Sequence, residues 1–264
     1  MNIGLLIIGD EILSGKRQDK HLPKVIELLQ ARGLALHWAR YAGDERECIT
    51  AELRHAFASG DLVFSCGGIG ATPDDHTRQS AAAALGRALV LHAQARALIE
   101  QRMQETAAAE GKVYAPDAPD NLHRLNMGMF PSGASIIPNP YNRIAGFSVN
   151  HVHFVPGFPV MAWPMIEWVL DTRYAHLHKV VGISEMSLVV QGAMEATLTP
   201  LMEQIEHEHP GIKVFSLPSV DHPQWGRHIE LGVKGEASRL DAAYTALKSG
   251  LDQHGAIVCA EMVR

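Results

Sequence analysis

A glycine-rich stretch that directly follows an apolar run constrains the fold of this chain more than any other feature. The run at residues 61–65 is long enough for a buried strand, and Gly67, Gly68 and Gly70 come just after it. The alanine-rich pattern at residues 77–85 then indicates a helix. A strand, a glycine loop and a helix in that order place backbone N–H groups and the positive end of a helix dipole together, so the stretch predicts an anion site suited to phosphate.

Apolar runs alternate with helical patterns over the first two thirds of the chain. Short loops separate them, which favours an open α/β unit with a mostly parallel sheet and right-handed crossovers. The predicted strands are residues 2–8, 34–40, 61–65, 88–91 and 151–155, and the predicted helices include 19–32, 77–85, 94–109 and 161–170. The turn-rich segments at residues 115–121 and 126–140 are predicted as loops over a site. In such a sheet the ligand crevice lies at the carboxyl ends of the strands.

The pattern restarts near residue 175, and we therefore predict two domains, residues 1–174 and 175–264. The second part is predicted as strand 180–183, helix 185–207, strands 212–217 and 228–233, helix 237–251 and strand 257–259. This β-α-β-β-α-β order is typical of a small split α+β domain.

Composition and charge exclude several classes of protein. The formal net charge of −6 argues against broad binding to nucleic acid or to an anionic membrane. Three widely spaced cysteines suggest neither a disulfide framework nor a thiolate zinc site. The apolar stretch at residues 152–170 is interrupted by prolines and charge, and the first residues lack a basic start. We therefore expect a cytoplasmic protein with a small-molecule ligand.

Carboxylates accompany the predicted anion site. Asp10 and Glu11 follow the first predicted strand, and Asp44 follows the second. Asp74 and Asp75 lie inside the glycine-rich stretch. A phosphate about 4 Å from one carboxylate costs about 4 kcal/mol at an effective dielectric of 20, so a bridging cation is needed. Oxygen ligands favour Mg²⁺ or Mn²⁺, which could polarise a phosphoryl group and activate water.

Simpler roles compete with these interpretations. Asp44 and Thr77 are equally well explained as helix caps, and the glycine cluster alone could be a tight turn. Basic residues that could meet phosphates are more often solvated surface charges. They are Lys16, Arg17, Arg78 and Arg143.

A second glycine motif, at residues 232–235, matches the Gly-x-x-Gly pattern with which KH modules clamp a nucleic-acid backbone. The motif falls between a predicted strand and a predicted helix rather than between two helices, and its domain is acidic. Nucleic acid is therefore not the expected partner.

Two segments carry a family resemblance. Residues 8–15, IGDEILSG, together with residues 66–77, CGGIGATPDDHT, resemble the MoaB/Mog-like molybdopterin-binding domain family, and most closely its CinA (competence/damage-inducible) branch. Residues 138–140 and 155–159 resemble later landmarks of the family, so the likeness covers about the first 170 residues. The rest resembles the KH-type domain that follows in CinA proteins. The deamidase domain of full-length CinA is not matched, so deamidation is not implied.

The resemblance implies a three-layer α/β domain that binds a pterin phosphate, such as molybdopterin, or an adenine nucleotide. In molybdopterin-handling relatives, two aspartates that match Asp44 and Asp75 support catalysis. CinA-type relatives hydrolyse ADP-ribose-like pyrophosphates with a divalent metal. This chain departs from the family at Lys20-His21 and at residues 141–143, which bears on the substrate.

The leading hypothesis is a metal-dependent nucleotide pyrophosphatase that uses Mg²⁺, Mn²⁺ or Co²⁺ and forms a homo-oligomer. Asp44 and Asp75 are the expected catalytic residues. The expected substrate-binding residues are Gly67, Gly68, Gly70, Thr72, Thr77, Asn139, Pro156 and Gly157, and the expected metal ligands are Asp10, Glu11, Asp74 and Asp75. The alternatives are a molybdopterin-binding or adenylyl-transferring protein and a nucleotide sensor without catalytic activity.

Overall fold

The structure, a computed structural model, describes residues 1–178 and 183–263. Contacts between residues divide the chain into a first unit, Met1–His178, and a second unit, Lys179–Arg264. Among the described residues, none of the helices has the length and apolar character needed to cross a membrane.

The first unit contains seven α-helices and eight strands within its described residues. The strands are β1 Ile3–Ile8, β2 Trp38–Ala42, β3 Leu62–Cys66, β4 Leu89–Leu91, β5 Met129–Pro131, β6 Ser135–Ile137, β7 Gly146–Val149 and β8 Val152–Val155. The helices are α1 Asp10–Leu13, α2 His21–Gln30, α3 Arg46–Ser59, α4 Thr77–Leu85, α5 Ala93–Ala109, α6 Pro119–Leu125 and α7 Pro159–Arg173.

Six of these strands form one mixed sheet in the order β2-β1-β3-β8-β7-β6. The four strands from β2 to β8 run parallel, whereas β7 is antiparallel to both of its neighbours. Strands β4 and β5 form a separate antiparallel pair. The prediction of a mostly parallel sheet is therefore confirmed, and the carboxyl ends of β1, β2, β3 and β8 lie at one edge.

The core lies on both faces of the six-stranded sheet. Strand β1 is buried along its whole length, and its side chains alternate between the two faces. Leu5 and Ile7 pack with α2 and α7 on one face. Leu6 and Ile8 pack with α3 and α4 on the other. Burial on both faces explains the continuous aliphatic run of β1, and it gives the three layers that the family resemblance implied.

The second predicted strand is wrong in its bounds, since β2 is Trp38–Ala42 rather than residues 34–40. Leu34 and Leu36 lie before the strand, yet both pack against the core. The backbone of Leu34 still bonds to Leu29 of the preceding helix. The apolar pattern of this segment therefore comes from a buried loop and not from a strand.

Strands β5 and β6 lie where loops were predicted, and strand β7 was not predicted. Strand β7 pairs with β8 in a tight hairpin whose turn includes Asn150, in the left-handed region at a φ of 53°. Phe147 and Phe154 stack across the two strands with ring centroids 4.2 Å apart. Because of this hairpin, the sheet is antiparallel from β8 through β7 to β6, whereas it is parallel from β2 to β8.

The second unit has the predicted β-α-β-β-α-β order. Its elements are β9 Ile183–Gln191, α8 Glu195–Glu208, β10 Lys213–His222, β11 Gly226–Glu236, α9 Ala237–Gln253 and β12 Ile257–Val263. The strands form an antiparallel sheet in the order β10-β11-β9-β12, and the two helices cover its apolar core.

Two predictions in this unit are wrong. Residues 185–191 were assigned to a helix but belong to β9, where Leu188, Val189 and Val190 are all buried, and α8 begins only at Glu195. The glycine motif at residues 232–235 lies inside β11 and not after it. The predicted strand 180–183 falls outside the described residues except for Ile183, which begins β9.

Candidate functional site

The glycine loop begins where β3 ends, and its backbone requires glycine at two positions. Gly67 and Gly68 have φ angles of 109° and 65°, in the region that disfavours side chains. A Cβ atom at Gly67 would lie 2.2 Å from the carbonyl oxygen of Ile8, and one at Gly68 would lie 2.2 Å from Thr77 Oγ1. The loop can therefore turn sharply against β1 only because both residues lack a side chain.

Asp75 holds this loop in place. Its Oδ1 accepts a hydrogen bond from the amide of Gly70 at 2.8 Å. Its Oδ2 accepts from the amide of Thr72 at 2.8 Å and from the Thr72 hydroxyl at 2.5 Å. Three donors thus converge on one carboxylate, which fixes the turn between Gly70 and Asp75.

Three backbone N–H groups of the loop form no hydrogen bond within the described residues. Gly67 donates to the carbonyl oxygen of Val155, and the amides of Gly70 and Thr72 are used by Asp75. The amides of Gly68, Ile69 and Ala71 have no acceptor within residues 1–178 and 183–263. Their residues line the cavity, and free amide donors before a helix suit an anionic ligand.

Thr77 and Arg78 support the loop from behind. Thr77 is buried, and its hydroxyl donates to the carbonyl oxygen of Gly67 at 3.0 Å. Arg78 is only 3% exposed and donates from Nη1 to the carbonyl oxygen of Ile69. Burial lowers the pKa of Arg78 to about 10, against the opposing effect of the Asp75 charge. Arg78 is therefore charged at neutral pH and adds positive potential beneath the loop.

The acidic residues after β1 and β2 are joined by two hydrogen bonds, each from the backbone amide of one residue to the carboxylate of the other. Asp10 donates its amide to Asp44 Oδ2 at 2.9 Å, and Asp44 donates its amide to Asp10 Oδ1 at 3.2 Å. The interpretation of Asp44 as a helix cap is wrong, because Glu45 occupies the N-cap position of α3 and no side chain caps that helix. The pair instead joins the carboxyl ends of two neighbouring strands.

The pKa of Asp44 is raised, chiefly because burial disfavours the charged carboxylate. The hydrogen bond from the backbone of Asp10 opposes this shift, while the charges of Asp10, Glu11 and Asp74 add to it. The pKa of the exposed Asp74 is lowered, mainly by a hydrogen bond from Thr72. Ionisation of Asp44 is therefore disfavoured, and a bound cation would offset that penalty.

A cavity of about 400 Å³ opens at this edge. Eleven of the predicted site residues line it: Glu11, Asp44, Gly67, Gly68, Gly70, Thr72, Asp74, Asp75, Asn139, Pro156 and Gly157. Asp10 and Thr77 do not line it, and their contacts place them beside and behind it. The remaining wall is largely apolar and includes Ile8, Ile69, Met127, Ile144, Ala145, Phe158 and Met161.

Of the four basic residues singled out in the sequence, only Arg17 lines the cavity. In the part of the chain that the structure describes, its side chain forms no ion pair. Arg143 is bound to Glu105, Lys16 does not reach the cavity wall, and Arg78 is buried behind the loop. Arg17 is therefore the cation available to a ligand phosphate.

Asn139 organises the far wall. It is 4% exposed, and its Nδ2 donates to Asn142 Oδ1 at 2.8 Å and to the carbonyl oxygen of Ile144 at 3.0 Å. Its own Oδ1 accepts from the amide of Tyr141. Arg143 adopts a φ of 64° in this turn. The segment that departs from the family pattern is thus a compact turn built on Asn139.

Sequence reasoning missed His21 as a site residue. It is 5% exposed, and its Nε2 donates to the carbonyl oxygen of Gly157 at 2.9 Å. Its Nδ1 is buried without a hydrogen-bond partner. The departure from the family at Lys20-His21 was the one signal in the sequence, but a contact between residues 136 positions apart is not visible in a local pattern.

His123 also reaches the loop. From α6 its Nε2 lies 2.8 Å from the carbonyl oxygen of Ala71 and donates to it. Met127, just after the same helix, lines the cavity. The segment that the sequence suggested only as loops over a site therefore touches the glycine loop directly.

The donor set at this edge suits a hard cation, since four carboxylates line one cavity. Among the described residues, however, no three His, Cys, Asp or Glu side chains are gathered as a metal cluster. Both oxygens of Asp75 already accept hydrogen bonds. The arrangement fits a cation held by one or two carboxylates and completed by substrate oxygens and water, as is usual for Mg²⁺.

Comparison with known proteins defines the class. The family described as "Probable molybdopterin binding domain" matches residues 4–176, which contain the sheet, the glycine loop and the cavity. The chain belongs to this family. The predicted resemblance and fold class are confirmed.

Individual relatives place the chain more closely. It is similar to a CinA-like protein of Geotalea uraniireducens, with 30% identity over 221 residues that cover 81% of this chain and 50% of that protein. The chain spans about half the length of the curated CinA-like relatives it matches. A protein of Pyrobaculum calidifontis is 26% identical over 251 residues, which cover 92% of both chains.

Among solved structures, one with similarity to about two thirds of this chain is informative. It is the structure of the protein CinA from Thermoplasma acidophilum, which is described as having unknown function. The TM-score is 0.55 and the identity 24%, with 65% of this chain and 98% of that chain covered. At this identity the likeness supports the fold alone.

Proposed function

We propose that the first unit binds a phosphorylated nucleotide in the cavity and hydrolyses its diphosphate bond with a divalent cation. The observation that carries this proposal is the set of free amides at Gly68, Ile69 and Ala71 on the wall of a cavity that also holds four carboxylates. Amides of this kind suit a diphosphate, and carboxylates at the same edge suit the cation that accompanies it.

Each residue then has a role. The loop amides hold the diphosphate, and Arg17 neutralises part of its charge. Asp75 keeps the loop in its binding shape. Asp44 orients the attacking water and accepts its proton as the general base. A bound Mg²⁺, Mn²⁺ or Co²⁺ would supply charge stabilisation of the phosphoryl group.

The experiment is a hydrolysis assay on the whole chain. The substrates are ADP-ribose and FAD, each with Mg²⁺, Mn²⁺ or Co²⁺, and the product measured is AMP. We expect release of AMP by the wild-type chain and its loss in Asp44→Asn. Asp171→Asn is the matched control, because this aspartate pairs with Arg32 and does not line the cavity. No AMP with any of the three metals would overturn the proposal.

A second candidate is a molybdopterin-binding or adenylyl-transferring protein. The description of the matched family as a probable molybdopterin binding domain favours it. The same amides and aspartates could hold a pterin phosphate. Titration with molybdopterin, together with an assay for transfer of AMP to it, separates this candidate from a hydrolase that releases AMP into water.

A further inference from the structure

We propose that Phe158 is a stacking platform for a planar heteroaromatic ring of the ligand, such as a nucleobase or a pterin. The inference rests on the proposed function, because it takes the ligand phosphate to lie at the glycine loop. It goes further by assigning the ring-binding subsite and the residue that determines specificity for ligands with a ring.

Phe158 differs from the other phenylalanines of the chain. All seven lie among the described residues, and Phe158 alone is exposed, with 56% of its surface accessible. In the described part of the chain its ring makes no aromatic or cation–π contact. A single exposed apolar side chain is common, but this one forms part of a cavity wall.

The backbone that carries this ring is fixed on both sides. His21 donates to the carbonyl oxygen of Gly157, just before Phe158. The carbonyl oxygen of Phe158 accepts from the amides of Met161 and Ala162 at 3.0 and 2.9 Å, which starts α7. The exposed ring is therefore attached to a rigid support, so that little ordering is needed when a ligand binds.

The turn that carries Phe158 is also close to the proposed phosphate position. A Cβ atom placed on Gly157 would lie 3.5 Å from Gly67 Cα, so the turn that carries Phe158 packs directly on the glycine loop. Met127, Ile144 and Met161 line the same cavity and provide an apolar surround. A ligand with a phosphate at the loop thus has its next group beside an exposed aromatic face, where a flat ring stacks favourably.

The test compares two ligands that differ only by the ring. Binding of AMP and of ribose 5-phosphate to the whole chain is measured by calorimetry for the wild type, Phe158→Ala and Phe158→Trp. Val160→Ala is the matched control, because Val160 is a similarly exposed apolar residue at the start of α7 that does not line the cavity. A phosphorylated pterin in place of AMP shows which kind of ring is preferred.

We expect Phe158→Ala to weaken the binding of AMP about 5- to 150-fold, the range of base–aromatic stacking, and to change the binding of ribose 5-phosphate by less than about two-fold. Phe158→Trp should retain AMP, and Val160→Ala should change neither ligand. An unchanged affinity for AMP in Phe158→Ala, or equal weakening of both ligands, overturns the proposal. An exposed ring that serves a protein partner instead would give the first of these results.

A loop variant distinguishes this failure from failure of the proposed function. If Gly68→Ala abolishes binding of AMP while Phe158→Ala leaves it intact, the phosphate site stands and the stacking platform falls. If the wild-type chain binds neither AMP nor ribose 5-phosphate, the stacking platform falls, and release of AMP from ADP-ribose in the hydrolysis assay decides the proposed function separately.

Discussion

The two units of the chain each contain a glycine motif, at residues 67–70 in the first and at residues 232–235 in the second. Gly67 and Gly68 have positive φ angles and turn the chain at the end of a parallel strand. Gly232 lies within β11, between two paired strands, where a Cβ atom would lie 2.4 Å from the ring of Phe215. The first motif shapes a backbone, and the second makes room for a neighbouring side chain.

The difference between the two motifs shows when a glycine pattern indicates a ligand site. In the first unit, parallel strands end together at one edge, and the turn leaves three amides without acceptors. In the second unit, the antiparallel ladder pairs the backbone around Gly232 with a strand on either side. A glycine pattern therefore predicts anion binding only where the topology places it in a turn after a strand.

The largest expected effect separates the two motifs. Gly67→Ala should destabilise the chain by about 4 kcal/mol or more, because backbone strain adds to a collision with a backbone oxygen. Gly232→Ala should cost about 1–3 kcal/mol by overpacking, and Phe215→Leu should relieve the part of this cost that comes from the Phe215 ring, while the collision with Ser187 Cβ at 2.7 Å remains. Urea unfolding of the variants measures both. Rescue of Gly67→Ala by trimming any side chain, or no rescue of Gly232→Ala, would contradict this distinction.

Acid should affect the first unit through a buried histidine. His153 lies in β8 with its Nδ1 2.7 Å from Ser148 Oγ and its Nε2 2.9 Å from the hydroxyl of Tyr174. Burial lowers the pKa of His153 to about 3, and the charges of Arg173 and His151 add to that shift. The unfolded chain, with a pKa near 6.5, binds a proton that the folded chain does not.

Stability should therefore fall as the pH falls from about 6.5 toward 3, by about 3 kcal/mol at pH 4 relative to pH 8. The contribution of His153 to stability is fully present above about pH 7. Amide exchange resolved by residue should show the loss in β7 and β8. His153→Gln should be less stable at neutral pH but should lack this part of the pH dependence; an unchanged profile in that variant would contradict the assignment.

The sequence predicted the elements that local patterns define. The aliphatic run of β1 and the glycine loop before α4 both appeared where expected, because burial and turn chemistry act on neighbouring residues. The segment containing Leu34 was misassigned because a buried loop produces the same apolar pattern as a strand. The apolar residues of β9 were taken for a helix because a short apolar run does not distinguish the two.

The residues of the site could be predicted in part. Most of the predicted residues line one cavity, because the ends of parallel strands meet at an edge. The contacts that give each residue its role could not be predicted. The carboxylate of Asp75 accepts hydrogen bonds from three donors of its own loop. His21 bonds to Gly157, which lies 136 positions further along the sequence. Both depend on distances that only the assembled fold determines.

A smaller effect tests whether the Asp75 side chain, rather than hydrogen bonds between strands, holds the first glycine motif in its conformation. Asp75→Asn should destabilise the loop by about 1–2 kcal/mol, because an amide group replaces an acceptor that faces three donors. Faster amide exchange at Gly70 and Thr72 is the readout. Asp117→Asn is the matched control, since Asp117 is exposed and does not line the cavity. Equal protection in both variants would mean that Asp75 does not hold the loop.

The smallest effects come from surface ion pairs. Arg32 in the first unit makes two hydrogen bonds to Asp171, at 2.5 and 2.7 Å, and a third to the carbonyl oxygen of Leu28. Lys248 in the second unit pairs with Glu261, and both side chains are about half exposed. Arg32→Ala should cost about 1 kcal/mol, and Lys248→Ala less than about 0.5 kcal/mol. Thermal unfolding at low and high salt checks this order, and a larger loss in Lys248→Ala would reverse it.

The most direct test of the central claim is a crystal structure of the whole chain with ADP-ribose and Mn²⁺. We expect diphosphate oxygens within hydrogen-bond distance of the amides of Gly68, Ile69 and Ala71, and a cation that contacts these oxygens and one or two of the carboxylates of Glu11, Asp74 and Asp75. Well-ordered ADP-ribose bound elsewhere on the chain, with the glycine loop unoccupied, would contradict it.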